Sequence, residues 1–126
     1  MLAEDDLEDM GYYDVKDNMK HFDSIKDYSE WVESMILTTG PERLVENTLG
    51  LVGEAGEVAE KIKKLIRDKT KFSDEEVLKE LGDVVFYATA LANIYGKGLH
   101  EVMELNIKKL DDRLKRGTLK GSGDNR

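Results

Sequence analysis

Two long segments of this chain repeat their apolar residues at the spacing of an α-helix, and each carries two acids three residues apart beside its apolar stripe. Over residues 42–66 the stripe is Leu44, Leu51, Ala55, Val58, Ile62 and Leu65, and the acids are Glu54 and Glu57. From residue 74 to about 95 it is Val77, Leu81, Val84, Ala88, Leu91, Ala92 and Tyr95, and the acids are Glu80 and Asp83. A helix buries one stripe against a neighbour, so two consecutive helices of this kind predict a helix-on-helix fold. Residues three apart share a helix face, so each pair projects two carboxylates in one direction. Four carboxylates from two neighbouring helices can converge and hold a hard cation through oxygen.

The rest of the chain fits an all-α fold of four main helices. A first helix is expected over residues 24–38, capped by Asp23 or Ser24, with Ile25, Tyr28, Trp31, Val32, Met35 and Ile36 on one stripe. Thr39-Gly40-Pro41 ends it and opens the second helix, with the chain's single proline in the tolerated first turn. A polar connection over 67–72 leads to Ser73, which forms a capping box with Glu76 at the head of the third helix. Gly96-Lys97-Gly98 breaks the chain before a fourth helix over 99–115, with Val102, Met103, Ile107, Leu110 and Leu114 inward. Asn106, Lys109 and Arg113 share another face of it. Phe86 falls away from the core with Thr89 and Asn93, and an apolar ring there points to a subunit contact. The organisation expected is an acidic N-terminal extension over 1–22, a helical domain over 23–116 and a Gly-rich polar tail over 117–126.

Composition narrows the partners. A chain of 126 residues, 40% hydrophobic and 37% charged, makes one domain with a modest core. Its net charge of −8 argues against nucleic acid and anionic membrane as general partners. With no cysteine there is no disulfide framework and no thiolate metal site. No apolar run is long enough to span a bilayer and the N-terminus is acidic, unlike a signal peptide, so a cytoplasmic location is expected.

A charge pair on a helix is usually a solvated face. Three features favour a site: the acids border the apolar stripe on both helices, the pattern recurs on consecutive helices, and Gly50, Gly53 and Gly56 accompany the first pair. Each glycine costs about 1 kcal/mol relative to alanine within a helix, so three in seven residues need a reason, and close helix approach is the expected one. Height along the helices is the open point. With the second helix run to Lys69, Glu57 stands ~18 Å from the turn and Glu80 ~9 Å, and the pairs align better if that helix stops near Ile66. Lys61, four residues after Glu57, reads as an intrahelical ion pair or as a cation aimed at phosphate. No Glu-x-x-His, phosphate loop, dinucleotide fingerprint or serine elbow occurs, so an enzyme of this sequence works through carboxylate-held metal and water.

The words Leu51-Val-Gly-Glu-Ala-Gly-Glu-Val-Ala-Glu60 and Lys79-Glu-Leu-Gly-Asp-Val-Val-Phe-Tyr87, with Asn106-x-x-Lys109-Leu110-x-x-Arg113 and the ending from Lys115 to Arg126, resemble the MazG-like members of the all-alpha NTP pyrophosphatase superfamily. The similarity covers about residues 25–126. It implies a four-helix MazG-like bundle that works as an obligate homo-oligomer, a dimer or a tetramer. It implies Mg2+-dependent cleavage of nucleoside triphosphates between the α- and β-phosphates, with Mn2+ as a substitute ion and nucleotide-pool house-cleaning as the role. Carried over by position, Glu54, Glu57, Glu80 and Asp83 are metal ligands and catalytic carboxylates, and Lys61, Asn106, Lys109 and Arg113 contact phosphate or nucleotide. The competing reading is a non-catalytic helical interaction module that tolerates Glu57→Gln and ignores Mg2+.

Overall fold

Ser24 starts the first helix by accepting a hydrogen bond on its Oγ from Asp27 N at 3.2 Å. A computed structural model describes residues 24–69 and 73–117, and there the chain forms four α-helices and no strand. These are α1 (Ile25–Met35), α2 (Gly40–Arg67), α3 (Asp74–Ile94) and α4 (Leu99–Lys115). The acidic extension over 1–22, the alternative cap Asp23 and the tail beyond Gly117 lie outside the described residues. The expected all-α architecture holds, and the bounds of α4 agree with the reading from periodicity. The first helix ends earlier than expected: Ile36, still on the apolar stripe, is already extended and caps α1.

Local chemistry explains each boundary. Pro41 is the second residue of α2, where its missing N–H costs nothing. Asp68 caps the far end of α2, and Lys69 then takes a positive φ of 53° to reverse the chain. The capping box at α3 forms as read: Glu76 N donates to Ser73 Oγ at 3.2 Å and Ser73 N donates to a Glu76 carboxylate oxygen at 2.8 Å. Gly96 ends the α3 segment at φ 74°; its N–H reaches Asn93 O and the N–H of Lys97 reaches Ala92 O, both at 3.0 Å. That pair of bonds is the Schellman arrangement, which favours glycine at the left-handed position.

Packing centres on α3. It lies along α2 on one side and meets α1 and α4 on the other. Val32, Thr89 and Ala90 are fully buried where α1 crosses α3. Ser29 ties three helices together at that crossing. Its backbone carbonyl accepts from Asn93 Nδ2 at 3.1 Å, and its Oγ accepts from Leu99 N at 2.8 Å. Gly98, the residue before α4, has no side chain to cap the helix, so a serine from another helix satisfies its first N–H.

This corrects the expectation for Phe86. The face bearing Phe86, Thr89 and Asn93 does not point away from the core but packs on α1: the Phe86 ring meets Trp31 edge-on at 5.9 Å, Thr89 is buried and Asn93 bonds to α1. The opposite surprise is on α4. Val102, Met103, Ile107, Leu110 and Leu114, all expected inward, are exposed, and the buried side chain of that helix is Arg113.

Candidate functional site

The α2–α3 pairing brings three of the four sequence-nominated acids together. Glu54, Glu80 and Asp83 each offer a carboxylate oxygen within 4.8 Å of the others. Two causes produce this. Spacing puts Glu80 and Asp83 on one face of α3, and α2 ends at Arg67, near the length at which the antiparallel pairs align. Glu57 is not in the group. It stands one helical turn closer to the α2–α3 connection and is exposed, although its charge still acts on Glu54.

The electrostatics are those of an anionic cluster short of a cation. Hydrogen bonding with Glu80 lifts the Glu54 carboxyl above the ordinary glutamate value, and burial and the charges of Asp83, Glu80 and Glu57 lift it further. A cation held by these carboxylates would offset that mutual repulsion. The donor set suits a hard ion: every ligand atom is oxygen, with no nitrogen or sulfur in the cluster.

Aromatic side chains form one wall. Tyr28, Trp31, Phe86 and Tyr87 contact one another in series, with ring centroids 5.8, 5.9 and 5.3 Å apart. Tyr28 stands near enough to Asp83 for that charge, after burial, to raise its phenol pKa, so it remains a neutral donor beside the carboxylates. On the α2 side Tyr87 lies against Gly50. A Cβ at that position would fall 2.6 Å from Tyr87 Cδ1 and Cζ, so Gly50 provides the close helix approach anticipated for the glycines. Gly53 and Gly56 do not: nothing lies within 4 Å of a Cβ built at either.

Lys61 is half-buried on α2, and its charge helps to lower the Glu76 pKa, after the dominant hydrogen bonds from Ser73. Asn106 and Lys109 are exposed on α4 and Arg113 is buried there. No described contact joins α4 to α2. Reading the sequence missed one residue that the structure sets beside Asp83 and one buried on the helix that carries Glu54. Tyr28 was assigned only to the core stripe. Asn47, buried and seven residues before Glu54, was not singled out, although that spacing returns to the same helix face.

A family model described as the MazG nucleotide pyrophosphohydrolase domain matches residues 43–118, a span holding all four nominated acids. The chain is 48% identical over 83 residues to the Gene 37 protein of Mycobacterium phage L5, covering 63% of this chain and 73% of that protein. No solved structure matches it significantly.

Proposed function

The chain belongs to the MazG nucleotide pyrophosphohydrolase domain family, and from that membership we propose that it hydrolyses (deoxy)nucleoside triphosphates to the monophosphate and pyrophosphate. The observation that carries the reading is the convergence of Glu54, Glu80 and Asp83 between the two helices that bear the family's acidic motifs. These three carboxylates, with Glu57 contributing charge from the next turn of α2, are the residues that would hold Mg2+ or Mn2+. When bound, the ion supplies Lewis acidity and offsets the charge of the polyphosphate.

The chain's own groups do the remaining work. The protein carries a net charge of −8, so a bare triphosphate is repelled and approaches productively only where the carboxylates are neutralised. One of the clustered carboxylates would accept the proton of an attacking water. Tyr28 donates from the aromatic wall beside Asp83. Lys61, Asn106, Lys109 and Arg113 are proposed as phosphate or nucleotide contacts; those on α4 belong to the assembled site, which we take to be a homodimer or homotetramer. The substrates are nucleoside triphosphates rather than nucleic acid.

Product analysis tests the reading. The protein is incubated with the eight common NTPs and dNTPs, with Mg2+ and with EDTA, beside Asp83→Asn. Monophosphate and pyrophosphate should appear only with metal and with Asp83 intact, and the variant should lose at least about a hundredfold in rate. Diphosphate and orthophosphate would mean that another bond is cut. Equal rates in EDTA would remove the metal from the reaction.

A further inference from the structure

A cleft of about 190 Å³ opens between the α1–α2 connection, α2 and α3. It is bounded by Leu37 and Thr38 of the α1–α2 connection, Glu46 and Asn47 of α2, and Phe86 and Tyr87 of α3. Asn47 is seven residues from Glu54, which puts it ~10 Å along the same helix face. The Tyr87 ring, seated on Gly50, lies between the two. No lysine or arginine is among the described residues that bound the cleft. It therefore offers phosphate nothing, whereas its two rings suit a flat heteroaromatic group.

Asn47 gives the cleft a fixed polarity. The residue is 3% exposed, and its side chain makes one hydrogen bond, Nδ2 donating to Arg43 O at 2.7 Å. A backbone carbonyl only accepts, so the amide nitrogen is held toward Arg43 and the amide cannot flip. That leaves Oδ1 as an acceptor without a partner among the described residues, in a side chain that lines the cleft. The Glu46 carboxylate is a second acceptor on the same rim.

We propose that this cleft seats the base of the nucleoside triphosphate, and that Asn47 and Glu46 select bases carrying an exocyclic amine over those with a carbonyl at the same position. The inference rests on the triphosphate being held at the carboxylates as proposed above. Two acceptors lining one cleft welcome an N–H and repel a C=O.

The test compares kcat/KM for pairs that differ only in that group, dCTP against dUTP and dATP against dITP. The wild-type protein should favour the amine in each pair by about tenfold or more. Asn47→Leu should bring the ratios close to unity, acting mainly on the amino substrates. Equal handling of both partners by the wild type, or an unchanged ratio in Asn47→Leu, overturns the proposal. Should that variant fail to fold, Glu46→Gln at an exposed position must lower the same ratios, and its failure to do so is equally fatal. The reading of the reaction fails separately, through an absence of pyrophosphate release from every nucleotide. In that event calorimetric titration with α,β-imido dCTP and dUTP in the presence of Mg2+ decides the cleft: tighter binding of the cytosine compound supports it, and equal or absent binding overturns it.

Discussion

At the scale of single residues, Glu54 is where charge, proton and metal meet. Its folded-state pKa is raised, so the folded chain holds a proton that the unfolded chain releases at lower pH. Over the window from the ordinary glutamate value up to the raised one, the folded state binds more protons, and stability must fall as pH rises through that window. A thermal melt of the metal-free protein against pH should show this fall. Glu54→Gln should flatten it, raise the midpoint at pH 7 by a few degrees, and remove the further rise that Mg2+ gives the wild type. An unchanged slope in the variant would place the strain elsewhere. The glycines make a second comparison. Gly50→Ala drives a methyl group into the Tyr87 ring and should cost about 1–3 kcal/mol in urea unfolding. Gly53→Ala and Gly56→Ala meet nothing in the protomer, so each should gain up to about 1 kcal/mol. If instead they lose activity or assembly, those glycines leave room for a ligand or another copy. The acids themselves were legible because i, i+3 spacing fixes a face. That Glu57 stands outside the cluster was not, because spacing says nothing of height between two helices.

At the scale of elements, the helices and their ends were legible wherever a local rule applies, and misread wherever a neighbour decides. The capping box at Ser73 and the glycine stop at Gly96 are local, and both formed as their residues predict. The environment of Phe86 was decided by α1, whose Trp31 and Ser29 turn a seemingly outward face of α3 into an interior one. The start of α4 is likewise nonlocal. Gly98 cannot cap it, and the hydrogen bond comes from Ser29, seventy residues away. Ser29→Ala should therefore act on a helix it does not belong to. It leaves the buried N–H of Leu99 without its acceptor, at a cost of about 1–3 kcal/mol. Hydrogen exchange is the discriminating measurement, since protection should drop at the first turn of α4 as well as in α1. Faster exchange confined to α1 would show that the serine matters only within its own helix.

At the scale of the whole molecule, apolar periodicity found the helices but not what covers them. Periodicity locates an apolar face without saying what lies on it, and the protomer leaves much of that face bare. Val32, Ala90 and Ala92 are the buried hydrophobic residues among those described, while Leu44, Ile62 and Leu65 of the α2 stripe and Val102, Ile107 and Leu114 of the α4 stripe are exposed, and Leu49, Val52 and Ile66 add further bare apolar surface on α2. Among the described helices α2 packs lengthwise only on α3, so a 28-residue helix has one neighbour for all of its apolar surface. Apolar area on this scale destabilises an isolated chain in water and drives association. The proposed homo-oligomer follows from that balance as well as from family membership. Sedimentation should give a mass of at least two chains at micromolar concentration, with a melting midpoint that rises with protein concentration. Ile66→Glu, on the most exposed aliphatic side chain of α2, should shift the equilibrium toward monomer and depress activity in the same titration. A stable, active monomer with a concentration-independent midpoint would overturn this and would require the α4 residues to reach the site within a single chain.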